Sequence, residues 1–232
     1  MIHLKNYQEE AVNDLTKNLY KLLKRPGVRQ NLIFKAPTGS GKTVMMASLL
    51  NKFCEELPER YELEKRKAAF IWIAPNKLYI QSYNAMKGFF AEMRSIKPIF
   101  FEDVSNDELL PNEVLFVNWE SINKEKNTMI KENETNKNLN SYINKAKLHD
   151  TEMIVIIDEE HMFANTKTAK RANEVLQKIY PKVEIRVSAT PTTNSDYRTL
   201  VERQDVIAEE MIKEGIILNP ALDTIQQQGR SL

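Results

Sequence analysis

FKAPTGSGKTVMM (Phe34–Met46) is the stretch of sequence that decides the fold. The apolar run NLIFKA that leads into it (residues 31–36) is typical of a short strand, and the residues after it carry apolar side chains at helical spacing. Gly39 and Gly41, in the loop between, leave room for backbone N–H groups to converge on an anion. The start of the following helix directs its dipole and its unpaired N–H groups at the same position. This strand–loop–helix context predicts a loop that binds phosphate.

The side chains at the end of this loop suit a nucleotide bound with a divalent metal. Lys42 would reach the β- and γ-phosphates, and the Thr43 hydroxyl would coordinate Mg²⁺. Ala36 occupies the first position of the pattern, where glycine is usual. A glycine-rich turn without a ligand is the alternative, which Gly-Ser-Gly-Lys-Thr at a strand–helix junction disfavours. The residues predicted to bind the nucleotide phosphates are Pro37, Thr38, Gly39, Ser40, Gly41, Lys42 and Thr43.

The rest of the chain alternates apolar runs with helical patterns. Strand-like runs include AAFIWIAP (residues 68–75), NEVLFVNW (residues 112–119) and VEIRVSATP (residues 183–191). Buried strands that alternate with helices predict an α/β fold in three layers, in which helices cover both faces of a mainly parallel sheet. We expect a single domain of this kind. The helix predicted over Tyr7–Arg25 stands outside the alternation, with its apolar residues on one side.

Composition limits the classes of protein to consider. The net charge of the 232 residues is +1, so a polyanion could be bound only by a local basic patch. The single cysteine, Cys54, excludes an internal disulfide and fits a reducing compartment. The first ten residues are polar and of mixed charge, unlike a secretory signal, and the apolar runs are too short to span a membrane. We expect a cytoplasmic protein with no membrane partner.

Two segments depart from the alternation of strands and helices. Residues 123–150 are rich in Lys, Asn and Glu, and we predict an exposed, mobile insertion there, either a solvated loop or a source of basic contacts. After Pro191 the pattern weakens, and one more helix is predicted over Asp205–Gly215. The expected organisation is a helical segment over residues 1–30, a nucleotide-binding domain over 31–204, and a helix with a linker over 205–232.

A second stretch, IVIIDEEHMF (Ile154–Phe163), ends a buried strand in clustered carboxylates. Such carboxylates repel one another and are costly to desolvate, so an opposite charge is needed nearby. Ligands of open parallel sheets bind beyond the C-terminal ends of the strands, where Asp158 and the phosphate loop could face one ligand. We predict that Asp158 holds Mg²⁺ on the nucleotide phosphates and that Glu159 orients or deprotonates the attacking water. The alternative is a negative cap on the following helix.

The motifs APTGSGKT, DEEH and SATP, in this order, resemble the nucleotide-binding half of superfamily 2 helicases and translocases, in their DEAD/H-box-like branch. The resemblance implies a RecA-like domain that binds ATP and Mg²⁺. LKNYQEEAV (Leu4–Val12) is similar to the glutamine motif of this family, in which Gln8 would recognise adenine. IAPNKLYIQS and, more weakly, VNWESI resemble segments that border the nucleic-acid path. The nucleic-acid contacts implied by these segments are Pro75, Asn76, Lys77, Asn118 and Ser121.

The resemblance also implies a role for each residue near the metal. The residues implied to be catalytic are Lys42, Asp158, Glu159 and His161. The implied metal ligands are Thr43 and Asp158. His161 would couple the nucleotide state to domain movement through Ser188, Ala189 and Thr190 of SATP. Glu160 occupies the variable position of DEEH, and we predict that it is a bystander without a catalytic role.

A finer resemblance is to the motor (Res) subunit of type III restriction enzymes. It rests on DEEH, on the polar insertion before it and on DVIAEEMIKEGIILNP after SATP, and the type I restriction motor shares much of it. This resemblance implies movement on DNA, rather than RNA, driven by ATP hydrolysis. A methylation or specificity subunit is the further partner that it implies.

A complete enzyme of this superfamily has two RecA-like domains with ATP between them, and too few residues follow Pro191 to form the second. We therefore expect the first motor domain alone, which would bind Mg²⁺-ATP weakly and hydrolyse it barely without the arginines of the second domain. A nucleotide-dependent binding or switch module that never hydrolyses ATP is the alternative. A metabolic kinase is disfavoured by SATP and by Gln8, which such enzymes do not need.

Overall fold

The centre of the structure is one sheet, seen in a computed structural model that describes residues 3–60, 67–92, 95–122, 138–163 and 166–213. Among these residues the strands are β1 (Gln30–Lys35), β2 (Lys67–Ala74), β3 (Lys97–Ile99), β4 (Glu113–Asn118), β5 (Thr151–Asp158), β6 (Val183–Ser188) and β7 (Arg198–Leu200). The helices are α1 (Asn6–Lys24), α2 (Lys42–Arg60), α3 (Leu78–Phe89), α4 (Trp119–Ile122), α5 (Leu139–Leu148), α6 (Thr166–Ile179) and α7 (Arg203–Ala208). Short 3₁₀ turns cover Phe90–Glu92, Phe101–Asp103 and Glu160–Phe163.

All neighbouring strands of the sheet run parallel, in the order β3-β4-β2-β5-β6-β1-β7. Both faces are buried, since Ile154 and Ile156 of β5 belong to one core and Val155 and Ile157 to the other. Successive side chains of a strand point to opposite faces, so a strand that is apolar throughout requires cover on both sides. Helices α1, α2 and α3 pack on the first face, and α5 and α6 on the second. The predicted three-layer α/β fold with a parallel sheet is confirmed.

The strand order brings the ends of three strands to the same edge of the sheet. β6 lies between β1 and β5, with Lys35 paired to Ser188 and Val187 paired to Asp158. The loop after β1, the residues after β6 and the last residue of β5 therefore meet beyond the C-terminal ends of the strands. This is the edge at which parallel sheets bind ligands.

Helix α1 shares the first core with the sheet. Leu15 and Leu19 are fully buried, as the apolar spacing of this helix predicts. Thr199 of β7 donates a hydrogen bond to Asp14 (2.6 Å) and accepts one from Asn18 (3.4 Å), which joins the helix to the edge strand. Sequence analysis did not predict β7, because three residues are too few to show a strand periodicity.

The prediction of an exposed insertion over residues 123–150 is wrong for its second half, which forms α5. The Asn138 side chain accepts a hydrogen bond from the Ser141 N–H (2.9 Å) and caps the helix. The side chains buried against the sheet recur at helical spacing and are Leu139, Tyr142, Ile143 and Ala146. The high Lys and Asn content of the segment masked this spacing. Residues 123–137 lie outside the described part of the chain.

The last described helix is shorter than predicted. α7 ends at Ala208, and Glu210 has a φ of +59°, a left-handed conformation that cannot continue an α-helix. Residues 214–232, which include the end of the predicted helix, lie outside the described residues. No helix in the described part of the chain has the length and apolar character needed to cross a membrane.

The correction at α5 predicts that Ile143 supports the second core. We expect Ile143→Ala to lower the free energy of unfolding by about 2–5 kcal/mol, because it removes a fully buried side chain and leaves a cavity. Chemical denaturation measures this change. Asn144→Ala, at the neighbouring exposed position, is the control and should change stability by no more than about 0.5 kcal/mol. Equal small effects of the two substitutions would show that α5 does not pack on the sheet.

Candidate active site

The phosphate loop requires glycine at two positions. Gly39 and Gly41 both have a φ of +84°, a conformation that other residues rarely adopt. A Cβ atom on Gly39 would lie 2.8 Å from the Cγ2 methyl of Ile212, and one on Gly41 would lie 2.6 Å from Nε2 of Gln8. The loop is therefore packed closely from two directions. Helix α2 begins directly after it, at Lys42, and its first N–H groups face the end of the loop.

The predicted adenine-binding residue, Gln8, holds the phosphate loop. Its Nε2 donates hydrogen bonds to the Ser40 carbonyl (3.0 Å) and to the Tyr7 hydroxyl (3.2 Å), and its Oε1 accepts from the Lys5 N–H (3.0 Å). The Tyr7 hydroxyl donates to the same Ser40 carbonyl (2.8 Å), and burial raises the pKa of this phenol. Sequence reasoning missed Tyr7, although it directly precedes Gln8. Recognition of adenine by Gln8 stays a prediction. In this structure the Gln8 amide is hydrogen-bonded to the phosphate loop.

Asp158 lies at the end of β5 and is almost fully buried. Its carboxylate accepts hydrogen bonds from the Glu159 N–H (3.0 Å) and from the Ser82 hydroxyl (3.3 Å). Burial and the neighbouring Glu159 charge raise the pKa of Asp158 to about 6, despite the opposing influence of Lys42 and of these two donors. Sequence reasoning missed Ser82, which ends the IAPNKLYIQS segment and connects α3 to Asp158.

The lysine of the phosphate loop faces the carboxylate that follows Asp158. Lys42 Nζ lies 3.8 Å from Oε1 of Glu159 and 3.5 Å from the Ala36 carbonyl oxygen. Glu159 has a φ of +53°, which is uncommon for a residue other than glycine and turns the chain sharply out of β5. The structure thus brings Lys42 next to Asp158 and Glu159, which are far from it in the sequence.

His161 and Ser188 connect this turn to the end of β6. His161 Nδ1 lies 2.9 Å from the Ser188 Oγ and 3.3 Å from Oε2 of Glu159. The Ser188 hydroxyl also accepts from the Thr190 N–H (3.0 Å), and its carbonyl accepts from the Ala36 N–H (3.2 Å). Ser188 therefore contacts both the DEEH turn and the start of the phosphate loop. Ala189 and Thr190 continue the chain from this point.

The geometry of the loop and the donor set fit a nucleotide with Mg²⁺. The Ser40 hydroxyl is buried in the loop and has no hydrogen-bond partner among the residues that the structure describes. Asp158 and Glu159 form a crowded pair of carboxylates whose repulsion a divalent cation would relieve. Among the described residues no three His, Cys, Asp or Glu side chains form a metal cluster. Mg²⁺ at nucleotide sites needs none, since phosphates and waters supply most ligands beside one carboxylate and the hydroxyl of a residue such as Thr43.

The residues predicted to contact nucleic acid are brought together at the ends of β2 and β4. The Asn118 side chain donates to the Asn76 carbonyl (2.8 Å), and the Asn76 N–H lies 3.1 and 3.2 Å from the two carboxylate oxygens of Glu120. Pro75 is buried, whereas Lys77 is exposed and Ser121 is half-buried. Sequence reasoning missed Glu120, which lies between Asn118 and Ser121 and holds the two segments together.

Glu160, predicted to be a bystander of the active site, is buried and has several partners. Its carboxylate accepts hydrogen bonds from Thr192 and Thr193 and pairs with Arg186. Its partners are Arg186, Thr192 and Thr193 rather than Lys42 or Asp158, which does not favour a direct catalytic role. That Glu160 is not catalytic stays a prediction, and the structure adds that its buried carboxylate has partners within the protein.

Comparison with solved structures places the fold among helicase domains. The chain is similar to the DUF1998 helicase MrfA bound to DNA, with a TM-score of 0.54 and 16% identity over 87% of this chain and 28% of that one. It thus spans about a quarter of the length of that helicase. A variant of S. cerevisiae Dbp5 bound to RNA and ADP with beryllium fluoride has a TM-score of 0.42 and 13% identity over 93% of this chain and 50% of that one. No curated protein matches the chain significantly.

A family match confirms the resemblance drawn from the motifs. The family is described as type III restriction enzyme, res subunit, and the match extends over residues 1–193. It includes the glutamine motif, the phosphate loop, DEEH and SATP. Because it covers most of the 232 residues, the chain belongs to the family of the type III restriction enzyme res subunit.

Proposed function

We propose that this ATP-binding domain is the first RecA-like domain of a DNA motor related to restriction enzymes, and that it binds and hydrolyses Mg²⁺-ATP. The observation that carries the proposal is the 3.8 Å approach of Lys42 to Glu159 beside Asp158, at the C-terminal ends of β1 and β5. The group that would hold the γ-phosphate is thus next to a carboxylate able to activate water. Such pairs of groups define the site of phosphoryl transfer in phosphate-loop enzymes.

Different residues of the site bind the phosphates, the metal and the attacking water. The backbone N–H groups of residues 38–43 and the Lys42 ammonium bind the phosphates. Thr43 and Asp158 would hold Mg²⁺, which neutralises charge on the phosphate oxygens when bound. Glu159 orients the attacking water and accepts its proton. His161 contacts Ser188, so a change at the phosphates can reach the residues that follow β6.

A second RecA-like domain and a nucleic-acid strand complete the proposed motor. An arginine supplied from another domain typically contributes roughly 10³–10⁵ in turnover, so slow hydrolysis is expected without it. The strand would lie along Asn76 and Lys77, at the N-terminal end of α3, and beside Asn118 and Ser121. The family description, a subunit of a restriction enzyme, favours DNA as the track. A methylation or specificity subunit is the further partner that we propose. The similarity to a part of a longer DNA-bound helicase supports the requirement for other domains.

Glu159→Gln distinguishes a motor from a nucleotide-dependent switch. We expect the affinity for Mg²⁺-ATP to stay near that of the unmodified chain while hydrolysis falls by about 10²–10⁴-fold, because the amide cannot accept a proton from water. A fluorescent ATP analogue measures binding, and single-turnover assays with protein in excess measure hydrolysis. Lys42→Ala is the control that removes binding. Unchanged hydrolysis in Glu159→Gln would leave only the switch module, and unchanged binding in Lys42→Ala would exclude this loop as the nucleotide site.

Lys77→Ala tests the proposed position of the nucleic-acid strand. We expect weaker binding of a single-stranded DNA oligonucleotide and a slope of log affinity against log salt that is smaller by about one, because one phosphate contact is lost. Fluorescence anisotropy at several salt concentrations measures both quantities. Lys21→Ala is the matched control, since Lys21 is an exposed lysine near the end of α1 farthest from the phosphate loop. Equal effects of the two substitutions would show that Lys77 contributes only to the general charge.

A further inference from the structure

A series of charged side chains, linked to one another by ion pairs, lies on one face of β6. Val183, Ile185 and Val187 face the first core, which leaves Glu184 and Arg186 on the opposite face. The exposed side-chain fraction is 1% for Glu184 and 17% for Arg186, and Arg186 Nη2 lies 2.6 Å from Oε2 of Glu184. Buried charges are costly unless they are paired and hydrogen-bonded, so this arrangement needs a reason.

Glu160 is the member of this series nearest the active site, and its side chain is only 3% exposed. One carboxylate oxygen accepts from the Thr192 N–H (2.9 Å), and the other accepts from the hydroxyls of Thr192 (2.9 Å) and Thr193 and lies 3.4 Å from Arg186 Nη1. Burial raises the pKa of Glu160, but the hydrogen bonds from Thr193 and Thr192 and the charge of Arg186 together bring it below its usual value. Both oxygens of the carboxylate therefore have hydrogen-bond donors within the protein.

The other partners of these charges belong to the rigid part of the fold. Arg186 Nε donates to the Asn31 side chain in β1 (3.0 Å). Arg29 donates to Glu184 (2.7 Å) and to Asn173 of α6 (2.8 Å). Glu160 is thus connected, through Arg186 and Glu184, to two strands and a helix. A side chain bound in this way has little freedom to move.

Glu160 lies between the two residues whose orientation matters most for the proposed reaction. Glu159, before it, has the uncommon φ of +53°, and the Met162 N–H donates to the Glu159 carbonyl (2.9 Å) to close the turn. His161, after it, reaches Ser188. A conformation as sparsely populated as that of Glu159 persists only where the surroundings over-determine it. Among the described residues, the carboxylate of Glu160 is the most highly bonded side chain of this turn.

We propose that Glu160 is a positioning residue, which fixes the DEEH turn to Thr192 and Thr193 so that Glu159 faces Lys42 and His161 faces Ser188. The effect that we expect Glu160 to have on ATP hydrolysis rests on the proposed function. The turn and the residues after β6 are then joined twice, through His161 with Ser188 and through Glu160 with the two threonines. A displacement of the segment after Ser188 therefore changes the position of the water-activating carboxylate.

The experiment compares Glu160→Gln with Glu113→Gln in the same chain. Glutamine keeps the size of the side chain but has one accepting oxygen, so it cannot accept from the Thr192 N–H and from Arg186 together. Glu113 is the matched control, because it is a buried carboxylate that accepts from Lys97 Nζ (3.0 Å) and from the Leu110 N–H (3.0 Å). Glu113 is the first residue of β4, at the N-terminal ends of the strands and therefore away from the site. Its substitution measures the general effect of neutralising a buried carboxylate.

Two measurements separate positioning from mere stability. In Glu160→Gln, exchange of the amide hydrogens of residues 159–163 should become about tenfold faster or more, as local opening becomes easier. Single-turnover hydrolysis of Mg²⁺-ATP should fall by about 10- to 100-fold, because the carboxylate is displaced from the phosphates. The dissociation constant for the nucleotide should stay within about threefold, since Lys42 and the loop are unchanged. Thr193→Val should change exchange and hydrolysis in the same direction by less.

Each outcome decides the inference. If Glu160→Gln and Glu113→Gln give the same exchange of residues 159–163 and the same hydrolysis, Glu160 is not a positioning residue. Loss of nucleotide affinity in proportion to hydrolysis would likewise overturn the inference, because it would show general damage to the site. If the unmodified chain binds and hydrolyses no better than Lys42→Ala, the proposed function fails. The exchange comparison then decides by itself whether Glu160 fixes the turn.

Discussion

The parallel pairing of β6 with both β1 and β5 is the constraint on which the site depends. It sets Lys35, Ser188 and Asp158 at nearly the same level of the sheet, so the three segments that follow these strands meet at one edge. The phosphate loop, the DEEH turn and SATP come from distant parts of the sequence, and no local preference brings them together. Burial of both sheet faces holds the strands in this register, since a slip of one residue would move each side chain to the opposite face and disrupt the packing of both cores.

Asp158 and Glu160, two carboxylates of the DEEH turn, have different environments and therefore different pKa values. The pKa of Asp158 is raised to about 6 by burial and by the charge of Glu159, which leaves a group that a divalent cation would stabilise. Glu160 has its pKa lowered, because two threonines and an arginine satisfy it within the protein. Asp158 is therefore suited to bind an external cation, whereas Glu160 binds the residues that follow SATP. Residue type alone does not separate these cases.

Much of the fold was predictable from pattern, and the errors have physical causes. Apolar runs such as the one before Asp158 identify buried strands, and the alternation with helices identifies a parallel sheet. The helix over Leu139–Leu148 was missed because its few apolar residues, including Ile143, are diluted by lysines and asparagines. The edge strand at Thr199 was missed because it is short. In both cases contacts with the rest of the fold, rather than local propensity, stabilise the helix or the strand.

The sequence by itself determined the family and indicated the candidate residues of the site. Lys42 and Thr43 at a strand–helix junction, and Asp158 and Glu159 at the end of a buried strand, required no tertiary information, because backbone geometry and charge restrict what such residues do. Only the tertiary structure revealed the residues that support them: Tyr7 and Gln8 on the phosphate loop, Ser82 on Asp158, and Glu160 on the residues after SATP. The residues joined by these contacts lie 32 to 76 positions apart in the sequence. A hydrogen bond between such residues depends on how the strands and helices pack, which spacing along the chain does not specify.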